Sequence, residues 1–395
     1  MIVLSIAFLP VAIWAVLILG RGGFWLCRER DDVMFASLGG AALTAPDLPG
    51  VVAVLPARDE AEVIAASVAS LLKQDYPGRL SIVVVDDQST DGTAAAARAA
   101  AAALGQGDRL RVVSGSAPPK GWTGKLWAMR QGLEAAAAER DPPEFILFTD
   151  ADIACSPGVL RRLATIARST DRVLVSVMAK LRCVSGAERL LAPAFVFFFA
   201  MLYPFAWVND PRRRTAAAAG GCMLVRRQAL TAAGGLETLR DALIDDCALG
   251  AAMKRQGPVW LGLSDEVVSL RAHPDVADFG RMISRSAYAQ LRYSPLLLIG
   301  AVVGMIATYL APPLFAVFGD GMTRTAGVLA WAMMALACAP MLRFYRQPVL
   351  FGLAMPIVAA IYTLFTIESG LQHWRGRGGY WKGRYQAAAG GTDDA

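Results

Sequence analysis

Residues Phe145-Ile146-Leu147-Phe148-Thr149-Asp150-Ala151-Asp152 run four apolar side chains straight into two carboxylates one residue apart. The apolar part reads as a short buried strand. The carboxylates then fall at its C-terminal edge, where open α/β sheets place their ligands. Two carboxylates this close repel unless a cation lies between them. Oxygen ligands of this kind suit Mg²⁺ or Mn²⁺, ions that usually bridge carboxylates to phosphate oxygens. The plain alternative is a polar turn after a buried strand, and the neighbouring segments decide between the two.

Upstream, strand and helix patterns alternate. Val51-Val52-Ala53-Val54-Leu55 ends at Pro56-Ala57-Arg58-Asp59-Glu60, and a helix is expected over Glu62 to Leu72. Ser81-Ile82-Val83-Val84-Val85 ends at Asp86-Asp87-Gln88-Ser89-Thr90-Asp91-Gly92-Thr93. An alanine-rich helix and a third strand, Leu110 to Val113, follow. This spacing predicts a parallel sheet of nucleotide-binding topology. Three acidic clusters, at Asp59, at Asp86 and Asp87, and at Asp150 and Asp152, then meet at one sheet edge. Asp91 reads as a helix cap. The loop Pro118-Pro119-Lys120-Gly121-Trp122-Thr123-Gly124-Lys125 opens a helix, Leu126 to Ala138, and could cradle a diphosphate, although it lacks the P-loop pattern. Downstream, Asp245-Asp246 open another helix, where a carboxylate can be a cap or a base.

The chain has 395 residues, of which 55% are hydrophobic, and a net charge of +6. Its mean hydropathy of +0.42 is too apolar for an ordinary soluble protein. The apolar residues gather at both ends, which predicts a membrane protein with a polar domain between. Ile2 to Gly20 is long enough for an anchor, taking residues 1–24 as the anchoring unit. It has no preceding Lys or Arg, and Arg21, Arg28 and Arg30 follow it, so an uncleaved anchor fits better than a signal peptide. The positive-inside rule then puts the domain over residues 48–290 in the cytoplasm. Leu190 to Val208, followed by Arg212-Arg213-Arg214, reads as an interfacial segment or as a buried hairpin. Pro295 to Phe318, Ala326 to Leu342 and Pro348 to Ile367 are three apolar stretches of a C-terminal membrane region over 295–370. Three crossings would place the basic tail, 371–395, outside, whereas Arg375, Arg377, Lys382 and Arg384 argue for inside. One stretch is then expected to be re-entrant, with Pro312-Pro313 or Pro356 marking it.

The six cysteines form no CxxC pair, and His273 and His373 are the only histidines. A zinc site, a disulfide framework and a Ser-His-Asp triad are thereby disfavoured, and acid–base work falls to carboxylates. No nucleic-acid-binding motif is present, so the basic charge fits an anionic lipid surface better than nucleic acid.

Taken together, these motifs resemble the membrane-bound family 2 glycosyltransferases of GT-A fold, over roughly residues 50–293. Pro56, Arg58, Asp59 and Glu60 are similar to the family's opening nucleotide-binding segment, and Asp86 and Asp87 to its second acidic motif. Gly124-Lys125 with Ala128 and Gly132 resembles the donor-side loop, with Arg130 where Asn is usual. Asp150-Ala151-Asp152 resembles the DxD metal motif. Asp245-Asp246 resembles the Glu-Asp pair, with Asp246 in the place of the catalytic base. Gln290-Leu291-Arg292-Tyr293 resembles the acceptor-side Gln-x-x-Arg-Trp motif, one residue short and with Tyr for Trp. Pro119 to Ala128 and His373 to Gly379 resemble the hopene-associated subgroup.

The resemblance implies an α/β GT-A domain with a mostly parallel sheet and transmembrane helices at both ends. It implies Mg²⁺ or Mn²⁺ on Asp150 and Asp152, and donor binding by Pro56, Arg58, Asp59, Glu60, Asp86, Asp87, Lys125 and Asp150. Asp246 would be the base, with Asp245, Gln290, Arg292 and Tyr293 on the acceptor side. The implied reaction is inverting transfer from a nucleotide sugar, a UDP-sugar foremost, to a hopanoid or similar membrane lipid. The implied setting is the bacterial inner membrane, multi-pass, with the catalytic domain cytoplasmic. A processive polysaccharide synthase would need a secretion channel that so few spans make hard to build. A sugar-phosphate nucleotidylyltransferase would not need the anchors. A catalytically dead scaffold would be expected to lack an acidic motif, and all four are present.

Overall fold

In the computed structural model, residues 2–40, 43, 48–138, 141–379 and 382 are described. Arg384 and most of the basic tail lie outside them. Strands β1 (Val51–Ala57), β2 (Leu80–Asp86), β3 (Leu110–Ser114) and β4 (Phe145–Thr149) arise from the four apolar runs. They pair in parallel in the order β3-β2-β1-β4, with Val54 opposite Val83 on one side and Phe148 on the other. This register brings the ends of β1, β2 and β4 to one edge.

The sheet continues through β7 (Cys222–Arg226), β6 (Leu174–Lys180), β8 (Val259–Ser269) and β5 (Ile153–Cys155). β7 is antiparallel to both β4 and β6, β8 is parallel to β6, and β5 is antiparallel to β8. Because β7 reverses, the glycine turn Gly220-Gly221 before it lies at the same edge as Asp150, with Thr149 opposite Cys222.

Both faces of the sheet are covered, so its strands are apolar throughout rather than alternating. Val52, Val54, Ile146 and Phe148 pack toward helix Gly124–Ala137 and the apolar helices. Val51, Ala53, Leu55, Phe145 and Leu147 pack toward helices Ile64–Leu72, Thr93–Ala103 and Val159–Ser169. A Cβ on Gly132 would lie 2.4 Å from Val54 Cγ1. Gly132 therefore serves the close approach of helix to sheet, and the donor-side role suggested by the resemblance gives way to packing.

The stretch 190–208 forms helix Gly186–Leu202 and a short helix, Phe205–Asn209. Ser185 and Glu188 cap its start reciprocally. Leu191, Val196, Phe197 and Phe198 are buried, and the helix touches the apolar helices and helix Val276–Ser284. It is thus held between the sheet domain and the apolar helices, with Arg212, Arg213 and Arg214 exposed beyond it.

Among the described residues, three helices are long and apolar enough to cross a membrane: Pro295–Phe318, Gly321–Phe344 and Val349–Trp374. Many of their outward side chains are apolar and exposed, including Leu296, Ile299, Val303, Leu314, Phe318, Leu329, Leu336, Ile357 and Leu364. The third segment has both ends at the sheet domain. Near its start Gln347 meets Arg189 at 2.9 Å, and near its end His373 stacks on Tyr293 with ring centroids 4.5 Å apart. In between, Leu353 O accepts from Trp331 Nε1 at 3.0 Å. Between those two contacts the segment marked by Pro356 reaches part-way along Gly321–Phe344.

The N-terminal helix Ile2–Gly20 packs along Gly321–Phe344. Pro312 has no N–H, so the carbonyl of Thr308, four residues earlier, loses its helical donor. Trp14 Nε1 supplies one at 2.9 Å, beside a five-residue π-helical turn, Ile306–Leu310. Trp14 also packs edge-on against Tyr309. Trp14→Phe keeps a six-membered ring but loses the pyrrole half with its N–H, thinning a buried contact and stranding the carbonyl, so a loss of about 1–3 kcal/mol is expected. A thermal melt of the detergent-solubilised protein reads this, and an unchanged midpoint would remove the assignment.

Candidate active site

The end of β1 makes a sharp turn. Pro56 falls after the β1–β4 pairing has stopped at Val54, where a residue without an N–H is tolerated. Asp59 adopts a left-handed backbone, φ 50°, uncommon without glycine. The turn is fixed from the β2 side. Thr90 N donates to Asp59 Oδ1 at 2.9 Å, Asp59 N to Ser89 Oγ at 3.0 Å, and Glu60 N to Thr93 Oγ1 at 2.8 Å. Arg58 donates to the carbonyl of Asp87 at 2.7 Å and lies 3.7 Å from its buried carboxylate. Asp86 Oδ1 accepts from Ser89 N. Asp91 accepts from the backbone N–H groups of Thr93 and Ala61 in the turn before Gly92, the N-cap of the next helix.

A second cluster forms where β4 ends. Thr123 caps helix Gly124–Ala137, which puts Lys125 in its first turn. Lys125 Nζ lies 2.9 Å from Asp150 Oδ1 and 3.1 Å from Asp245 Oδ2. Asp245 is buried, and its Oδ2 has this ion pair but no aligned hydrogen bond. Burial works against the Lys125 charge, but Asp150, Asp245 and Asp246 together outweigh it and hold the ammonium above its usual value. Burial raises Asp150 as well, and Asp152 adds to this while Lys125 opposes it.

Asp246 follows Asp245 at the start of helix Asp245–Lys254. Its Oδ2 accepts from Gly220 N at 2.9 Å and its Oδ1 from Cys247 N at 2.7 Å. A methyl on Gly220 would lie 3.3 Å from Asp246 Oδ2 and 3.4 Å from Lys125 Nζ, so the glycine keeps this corner open. Burial first, and then the Asp245 charge, push the Asp246 carboxyl up to about 6. A carboxylate in that range is suited to take a proton near neutral pH.

Arg271, just past β8, carries no motif and was not singled out by the sequence. Its Nε lies 3.3 Å from Asp152 Oδ2, and its other nitrogen reaches both carboxylate oxygens of Glu60. It joins the β1 turn to the DxD pair, and Ser269 Oγ donates to Asp152 at 3.1 Å. The available signal was its place: a basic residue directly after an apolar strand.

Gln290 connects to this cluster through Tyr203, whose phenol interacts with the Cys247 thiol beside Asp246. Gln290 exchanges hydrogen bonds with the Tyr203 hydroxyl, and Arg292 and Tyr293 are both left-handed, φ 52° and 54°. Tyr293 and His373 line a small cavity with Asp241, Leu243 and Arg285. The loop holding Asp241 and Leu243 leads directly into Asp245-Asp246.

Among the described residues, no three His, Cys, Asp or Glu side chains gather to hold a metal ion. Asp150 and Asp152 offer two carboxylates. That set fits Mg²⁺ or Mn²⁺ when phosphate and water oxygens complete the shell.

Comparison with known proteins agrees with this geometry. A mannosyltransferase from Pyrobaculum calidifontis, solved with GDP-Man and Mn2+, is 18% identical with a TM-score of 0.52, covering 93% of this chain and 99% of that one. Glucosyl-3-phosphoglycerate synthase from Mycobacterium tuberculosis is 20% identical with a TM-score of 0.38, over 66% and 84%. Staphylococcus aureus TarS is 16% identical with a TM-score of 0.39, over 82% and 55%. No curated protein matches the sequence. The first of these likenesses carries the fold. The model of "Glycosyltransferase like family 2" matches residues 49–269, more than half of the chain and all of the strands and carboxylates that build the edge site, so the chain belongs to glycosyltransferase family 2 and is a glycosyltransferase.

Proposed function

We propose that the protein transfers a sugar, with inversion, from a nucleotide sugar to the hydroxyl of a membrane lipid. The observation that carries this is the corner where Asp246, held by two backbone N–H groups, adjoins Lys125 and Asp150. A base and a cation for a leaving diphosphate thus share one site.

Arg58, Asp59, Asp86 and Asp87 line the edge that would take the nucleoside. A UDP-sugar is the first donor to try. Lys125 would offset the diphosphate charge. Asp150 and Asp152 would hold Mg²⁺ or Mn²⁺, which when bound neutralises charge on the leaving group. Asp246 would accept the proton of the acceptor hydroxyl as that oxygen attacks the anomeric carbon. Asp245 keeps Lys125 paired, which leaves Asp246 free for the proton.

The lipid acceptor is supported by the exposed apolar helices beneath the domain. In this reading Pro295–Phe318 and Gly321–Phe344 cross, Ile2–Gly20 anchors, and Val349–Trp374 is re-entrant. The basic tail then ends on the cytoplasmic side, in keeping with its charge. A hopanoid or similar polycyclic lipid is the proposed acceptor, on the resemblance of His373 to Gly379, and the setting is the bacterial inner membrane.

The test is nucleoside diphosphate release by purified protein in detergent, with UDP- and GDP-sugars, Mg²⁺ or Mn²⁺, and lipid extract present or absent. Release is expected to need the metal, rise with lipid and vanish in Asp152→Ala. Release that ignores both metal and lipid would overturn the assignment.

A further inference from the structure

Lys382 lies beyond the last apolar helix, which ends at Trp374, yet it reaches the turn after β1 more than 300 residues earlier in the chain. It grips three consecutive residues there. Its carbonyl accepts from Arg58 Nε at 2.8 Å, its ammonium donates to the carbonyl of Asp59 at 2.8 Å, and the same ammonium lies 3.1 Å from Glu60 Oε1. We propose that Lys382 is a positioning residue for the donor: it clamps the Arg58-Asp59-Glu60 turn in its nucleotide-binding shape. This rests on the nucleotide-sugar reading above and names a part of the chain that tunes it.

The need for a clamp follows from the turn itself. Asp59 holds a left-handed backbone that a non-glycine residue keeps only where its surroundings over-determine it. Ser89, Thr90 and Thr93 hold the turn from the β2 side. On the open side, Arg271 binds the Glu60 side chain but none of the turn's backbone. Lys382 is the group that holds both backbone and side chain there.

Charge supports the same assignment. Arg58 has acidic partners in Asp59 and Asp87, at 4.0 and 3.7 Å. Glu60 is 11% exposed, and an unpaired carboxylate so placed would draw Arg58 or the approaching base away from register. With Arg271 and Lys382 both on Glu60, Arg58 stays on Asp87. The tail also leaves the end of the helix whose His373 stacks on Tyr293, so one short stretch of chain connects the acceptor-side cavity to the donor turn.

The test uses the full chain in detergent with Mg²⁺ and titrates UDP and GDP by calorimetry. Lys382→Met is expected to weaken the nucleotide that wild type binds by about two- to fivefold, the range for a partly exposed charged contact. Lys382→Arg, which keeps the charge and the backbone bond, should restore most of the affinity. The melting midpoint without nucleotide should match wild type in both, which separates positioning from folding. Saturating donor should restore turnover in Lys382→Met, so the change falls on KM and not on kcat. Unchanged affinity in Lys382→Met, or tighter binding as for a displaced plug, would overturn the proposal while leaving the transferase reading intact. Wild type that binds neither nucleotide would overturn both.

Discussion

Asp246→Asn is expected to lower sugar transfer by about two to four orders of magnitude, the range for losing a positioned base. The fold should survive. Wild-type Asp246 is held partly buried with its carboxyl pushed up to about 6. A carboxyl raised above its unfolded value contributes stability below the unfolded value and loses it as pH climbs through 6. At neutral pH Asp246 is therefore a cost to folding that Asn removes. Against this, Asn has one oxygen where Asp246 uses two, for Gly220 N and Cys247 N, so one backbone donor goes unpaired. The two effects oppose, and the melting midpoint should stay close to wild type. The pH profile supplies the second check. Rate at low donor should rise with pH through about 6, where half the carboxylate is available, and level off about one unit above. The variant's residual rate should show no such limb. Near-wild-type transfer by a folded Asp246→Asn protein would remove Asp246 as the base.

How much of this site was legible beforehand depends on how each residue signals itself. The strands ending in Asp59, Asp86 and Asp150 were legible because a buried parallel strand is an unbroken apolar run and its end is a change of polarity. Parallel pairing then fixes which ends meet. Lys125 was visible in its glycine loop, but its ion pair with Asp245 was not. The two are 120 residues apart, and β7 carries the chain to the far edge of the sheet before residues 227–244 bring it back to place Asp245 there. Arg271 and Lys382 had no signal beyond being basic, since a single cation after a strand or in a tail has no period. Gly132 shows the opposite failure. A motif suggested the donor, whereas the glycine answers to Val54 behind it. The third apolar stretch was legible as a conflict between span count and tail charge. A re-entrant stretch at Pro356 is the proposed answer to it.

Lys125→Met tests the other half of the site, and its effect should appear in stability as well as in rate. Removing the ammonium leaves Asp150 and Asp245 facing each other with Asp246 close by and no cation among them. Stripping one partner from a buried charged cluster costs about 3–5 kcal/mol, and the partial exposure of Asp150 brings the expected loss toward the lower end, roughly 3 kcal/mol. The sign with pH is definite. Without Lys125, the Asp150 carboxyl loses the charge that opposed its burial and is held further above its unfolded value. The folded state then binds protons more tightly than the unfolded chain, and stability recovers as pH falls. The deficit against wild type should therefore be larger at pH 8 than at pH 5. Adding Asp245→Asn should recover part of the melting midpoint at pH 8, because one repelling charge is gone. It should not recover nucleoside diphosphate release, because the cation that faces the leaving diphosphate is still missing. If the double variant regained both stability and release, Lys125 would be a structural counter-charge to Asp245 and the diphosphate would have to be met by another group, with Arg271 the nearest cation to the Asp152 side of the site.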